Sequence, residues 1–214
     1  MKGLIVKDFR LLFQRKRFFL LMAACAVMMA VSMDNSSFVV GWICTIMGIF
    51  SLSTMSYDEY DNSMPFLMSL PVSAKDYAIE KYVFGLICGM AGWLFAVAVE
   101  LIMVFIGRTA ESALDVLISS LVFLPLLLVF LSICIPCQLK WGAEKGRTYM
   151  LVLYGFLLGS AAIAVKFLPN SKDIDQLLAG TDVWMIAIIV FVAVIAIYYC
   201  SMLISVRVFS KKEF

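Results

Sequence analysis

Long apolar runs alternate with short polar breaks along the whole chain. Six runs stand out: 18–33, 38–55, 82–106, 116–139, 149–165 and 183–206. A helix needs about 20 apolar residues to cross the hydrocarbon of a bilayer. The runs match that length and show no strict alternation, so they predict membrane-spanning helices and exclude a barrel. The first is short, but Arg15, Lys16 and Arg17 can snorkel from its start. Pro125 and Pro136 predict kinks in the fourth.

The polar breaks have their own pattern. Residues 1–17 read as an amphipathic helix: Leu4, Ile5, Phe9, Leu12 and Phe13 share one half, and Arg10, Gln14 and Arg17 the other. Lys16 interrupts the apolar half and Arg15 lies within it. A basic helix of this kind lies along a membrane surface. Residues 56–81 form the longest break between the second and third runs. Within it, Ser63 can cap a short helix with Pro65 at its second position, and Pro71 ends that helix. Its apolar members are Met64, Phe66, Leu67, Met68 and Leu70, preceded by the carboxylates Asp58, Glu59 and Asp61. Ser73 and Asp76 make a capping box that starts a helix running into the third span.

Basic residues set the orientation. With six spans, fourteen Lys and Arg fall on the side of both termini and of residues 56–81. Only Arg108, Lys166 and Lys172 fall on the other. The positive-inside rule then predicts cytoplasmic termini and a cytoplasmic 56–81 segment. The start of the chain reads as part of the protein and not as a cleaved signal, because no small-residue cleavage site follows the first run.

Composition narrows the chemistry. The 214 residues are 64% hydrophobic and 15% charged, far from a soluble domain. There is no histidine, which removes the commonest metal ligand and general base. A net charge of +2 does not suggest nucleic acid. The six cysteines lie mostly in apolar runs, as small hydrophobes. Cys134 and Cys137 have redox-motif spacing, but no βαβ context supports it. No P-loop pattern occurs, and "AEKGRT" has its Gly and Lys in the wrong order.

One ionisable residue sits well inside a span. Gly85, Gly89, Gly92, Ala96 and Glu100 fall on one stripe of the third. Small residues so spaced predict a close helix–helix face, and they turn Glu100 toward protein. Glu100 is a candidate for the substrate pathway, or a structural carboxylate reaching the outer interface. Gly155 and Gly159 repeat the small-residue signal in the fifth run.

The basic start "MKGLIVKDFRLL", the stretch "YDEYDNSMPFLMSLPVSAKDYAIEKY" and the six-run layout together resemble an ABC-2 type permease of a bacterial exporter. The similarity extends to permeases linked to bacitracin resistance and to export of phenol-soluble modulin peptides. Its specific motif, "SLPVS" followed by "KY", lies in the first 82 residues. The resemblance implies an all-α membrane protein that is not itself an enzyme. It implies a permease dimer, homo- or heteromeric, in the bacterial cytoplasmic membrane. Separate ATPase subunits would bind ATP and Mg, leaving this chain without cofactor or metal. The short helix of residues 56–81 would be the coupling helix. Phe66 and Leu67 are its expected apolar anchors, and Asp58, Glu59 and Asp61 would meet basic residues on the ATPase or on the amphipathic helix. Cargo would be an amphipathic peptide, toxin, antibiotic or lipid-like molecule. The alternatives are a stand-alone carrier, an integral membrane enzyme, or a non-transporting immunity or assembly protein.

Overall fold

The computed structural model describes residues 2–32, 37–59, 63–69, 73–107, 112–142, 145, 146, 148, 152 and 183–211. Their secondary structure is helical throughout. In chain order the helices are α1 (Lys2–Gln14), α2 (Lys16–Ser32), α3 (Ser37–Glu59), α4 (Ser63–Ser69), α5 (Ala74–Phe105), α6 (Ala113–Leu121), α7 (Phe123–Trp141) and α8 (Val183–Phe209).

Four stretches are long and apolar enough to cross a membrane: Phe38–Glu59, Ala74–Phe105, Ala113–Trp141 and Met185–Phe209. α2 covers the first apolar run with 17 residues, about 26 Å of helix. The fifth run, including Gly155 and Gly159, lies outside the described residues apart from Val152.

Two helices continue past the apolar runs that predicted them. α3 extends one turn beyond Met55, to Glu59. α5 has 32 residues, about 48 Å, so its first turns must project from a hydrocarbon layer of about 30 Å. Ser73 starts α5 with φ −80° and ψ 148°, and its hydroxyl accepts from the Asp76 N–H at 3.1 Å. The Ser73 hydroxyl also donates to the Asp76 carboxylate at 2.8 Å. A fully reciprocal capping box opens α6 at Ser112 and Asp115. Gly107 (φ +75°) and Gly142 (φ +81°) follow the ends of α5 and α7, where a left-handed backbone favours glycine.

The fourth apolar run is divided at Val122, between α6 and α7. Pro125 explains the break: it has no N–H for the carbonyl of Leu121, and its ring crowds that carbonyl. Pro136 lies within α7 and does not end it.

Two apolar clusters hold the helices together. One joins α2, α3 and α5 through Met22, Ala26, Ile43, Met47, Phe84 and Ala96. The other gathers α1, α3, α4, α5, α7 and α8 around Leu4, Met55, Leu67, Tyr77, Leu131 and Phe209. An apolar groove of about 570 Å³ opens between α3 and α7, beside Trp42, Phe123 and Phe130.

Candidate functional site at the charged end of the bundle

The second cluster surrounds a knot of charges. α3 ends with Thr54 and Asp58 one turn apart, and α5 begins with Tyr77 and Lys81 one turn apart. Spacing of four puts each pair on one helical face. α1 lies across both and brings Lys7 and Asp8. Asp8, Tyr77 and Glu80 have no exposed surface, and Lys81 and Asp58 are buried.

Lys81 is the hub. Its ammonium pairs with Asp8, lies 3.0 Å from Asp58 Oδ2, and donates to Thr54 Oγ1 at 3.3 Å. Glu80 Oε2 is farther away, at 3.6 Å. Asp58 also pairs with Lys7 and accepts from the Tyr77 hydroxyl at 3.0 Å. Thr54 donates to Asp8 Oδ2 at 3.1 Å. The Lys81 ammonium stands over the Tyr77 ring at 5.0 Å, and Tyr77 stacks on Phe209 of α8. Desolvating these charges is costly, so the knot holds only while partners stay in place. It therefore fixes α1, α3 and α5 relative to one another.

Further contacts fasten the same end. Arg15 donates to the Tyr57 hydroxyl and lies over its ring. The Tyr82 hydroxyl meets Ser201 and Ser205 of α8, each at 2.7 Å, and Tyr198 donates to the Tyr82 carbonyl at 2.8 Å. Ser201 donates to the Ser132 carbonyl of α7. Lys81 and Tyr82, adjacent in sequence, thus bind opposite groups of helices.

α4 is seated beside this knot. Met64 and Leu67, three residues apart, face inward with 8% and 7% exposure, whereas Phe66 is 71% exposed. Sequence reasoning paired Phe66 with Leu67 as outward anchors. At 100° per residue the two point apart, and Leu67 joins the chain's own core. Glu59, half-buried, closes α3 beside Gly142. Asp61, Leu70 and the Met68 side chain lie outside the described residues.

The stripe on α5 lies farther along the helix. Gly85, Gly89, Gly92, Ala96 and Glu100 are all buried. The three glycines face α3 and α7: Gly85 and Gly89 approach Leu131 and Leu127, and a Cβ on Gly92 would lie 2.6 Å from Met47 Cγ. Cys134 and Cys137 are free thiols on α7.

Sequence reasoning missed Asp8, Glu80, Lys81 and Tyr77. The detectable signals were a carboxylate four residues after Leu4, on the apolar side of α1, and the matching pairs Thr54/Asp58 and Tyr77/Lys81.

The family model for the ABC-2 family transporter protein matches residues 3–210. The chain belongs to the ABC-2 transporter family. No curated protein and no solved structure matches it. Membership makes the chain a multi-pass membrane component of an ABC transporter, whose partners are an ABC ATPase subunit and the bilayer. The sequence itself carries no P-loop, which suits an ABC-2 chain that relies on an ATPase partner.

Proposed function

We propose that this chain is the membrane half of an ATP-driven bacterial exporter and that α4 is its coupling helix. The observation that carries this reading is the seat of α4. Its inner face is packed into the bundle and its outer face presents Phe66, between the ends of two long continuous helices. A push on Phe66 would reach α3 and α5 directly, and α1 through the Lys81 knot. Six spans, with both termini and α4 in the cytoplasm, follow from the apolar runs and the basic-residue bias. Fourteen basic residues against three support that orientation. α1 would lie at the inner membrane surface. The permease would work as a dimer, homo- or heteromeric, with ATP and Mg bound in the ATPase subunits.

An amphipathic peptide, antibiotic or lipid-like cargo suits a protein whose spans offer mainly apolar surface. The groove between α3 and α7 supports this reading. Glu100, on the small-residue stripe, would face cationic cargo. Resistance to antimicrobial peptides is the corresponding physiological role.

The deciding experiment is purification of the tagged chain from its native membranes, followed by assay of ATP hydrolysis. A co-eluting ATPase stimulated by amphipathic peptide is expected. A chain that transports or acts alone would sink the proposal. Ser73→Cys should label only after the membrane is permeabilised, and Ser171→Cys from outside.

A further inference from the structure

The charge knot does not balance. Among the described residues it contains two cations, Lys7 and Lys81, and three carboxylates, Asp8, Asp58 and Glu80. An ammonium has three N–H donors. The three acceptors nearest Lys81 are Asp8, Asp58 and Thr54, which leaves no donor for Glu80. Both Glu80 carboxyl oxygens are buried without a hydrogen-bond partner among the described residues, and Asp8 Oδ1 has only the Lys7 ammonium, 3.3 Å away, as an ion-pair partner. These two carboxyls face the same ammonium.

No other described cation reaches in to balance the charge. Arg10 of α1, Arg15, Lys16 and Arg17 at the start of α2, Lys75 of α5, Lys140 and Lys145 near the end of α7, and Arg207 and Lys211 near the end of α8 are exposed. Tyr77 already donates to Asp58. Cys88 lies two turns farther along α5, and Glu59 turns toward Gly142. A buried, uncompensated carboxylate is among the most costly groups a fold can hold.

We propose that Glu80 carries a proton when α1 is docked, donating it to Asp8, so that one proton is the ligand that seals α1 onto α5. The proton comes from water and returns to it, and no other bond changes. With the proton bound, two cations face two carboxylates. Without it, Asp8 and Glu80 repel each other across the α1–α5 contact, and α1 lifts. The placement of α1 at the cytoplasmic surface rests on the proposed topology, whereas the proton itself can be detected without transport or an ATPase.

The test is infrared spectroscopy of the full chain in lipid vesicles. Near neutral pH the wild type should show a protonated-carboxyl band that Glu80→Gln removes and that fades as pH rises. Absence of that difference overturns the proposal. Thermal unfolding supplies a second measure. Burial lifts the Glu80 carboxyl from 4.5 to about 7 in the folded chain, so stability should fall as pH rises from about 4.5 to about 7 and level off above that. Glu80→Gln, the isostere of the neutral acid, should flatten that fall and unfold no earlier than wild type. A Gln variant that unfolds earlier, or does not insert, means that Glu80 is needed as an anion and also overturns it. If the band is present but no ATPase partners the chain, the exporter reading fails and the proton site stands.

Discussion

The start and the middle of α5 are held by different physics. Over its first two turns, Tyr77 and Lys81 are fixed by directional contacts between charged and polar groups. Over its middle, Gly89, Gly92 and Ala96 are fixed by shape alone, against Leu127, Met47 and their neighbours. Close packing gives one geometry and resists small displacements. A knot of charges has alternative pairings, so it can be stable in more than one arrangement. If α4 couples to an ATPase as proposed, the end nearest it is the end that would rearrange, and the close-packed middle would be its pivot.

The sharpest way to break this contrast is Lys81→Met. It leaves Asp8, Asp58 and Glu80 buried with only Lys7 to answer them. Breaking a buried ion pair by removing one partner costs about 3–5 kcal/mol. Thermal unfolding in lipid should show that loss. Adding Asp8→Asn to Lys81→Met should recover part of it, because one stranded carboxylate disappears. A simple additive loss in the double variant would mean that the two residues do not share a site.

α4 gives the next largest effect and separates two neighbours. Burying a Phe side chain on a partner contributes about 1.5–3 kcal/mol, so Phe66→Ser should weaken ATPase assembly by about ten- to a hundredfold. The chain's own stability should not change, since Phe66 is exposed. Leu67→Ser should do the reverse, lowering stability through the core it joins. Equal behaviour of the two variants in both assays would refute the coupling role of this face.

The pivot should respond to volume and not to charge. Gly92→Val would force side-chain atoms against Met47 Cγ and Cβ, 2.6 and 2.9 Å from the position of a Cβ. Overpacking of this kind costs about 1–3 kcal/mol. Met47→Ala in the same chain removes the Cγ but keeps the Cβ, so it should restore part of the loss. Failure of that rescue would show that Met47 is not what closes the space around Gly92.

The sequence made the four long apolar helices of the described residues and the α5 cap legible because both are local. Apolar runs and a Ser-x-x-Asp box need no knowledge of distant residues. The small-residue spacing likewise placed Gly85 to Glu100 on one buried face. The knot was not legible, because its partners are 51 and 73 positions apart for Lys7–Asp58 and Asp8–Lys81. In one sequence, Asp58 looks like the first of several loop carboxylates. Only the extra turn of α3 and the crossing of α1 make it a buried one. Phe66 and Leu67 looked equivalent for a similar reason: hydrophobicity does not say which face of a short helix the bundle will take.

Tyr82 lies where the two regimes meet, and it offers the smallest but most discriminating test. Its neighbour Lys81 binds α1 and α3, whereas its own hydroxyl binds Ser201 and Ser205 of α8. Tyr82→Phe keeps the ring and its edge-on packing with Tyr198, 5.2 Å between centroids, and removes only the hydroxyl. Hydrogen bonds between membrane helices contribute about 0.6 kcal/mol on average, so unfolding should shift only slightly. If the base of α5 transmits motion from α4 to α8, transport coupled to ATP hydrolysis should fall more than stability does. If Tyr82 only anchors α8, the two should fall together. A ratio of transport to ATP hydrolysis unchanged from wild type would confine the rearranging knot to α1, α3 and α5 and leave α8 a passive strut.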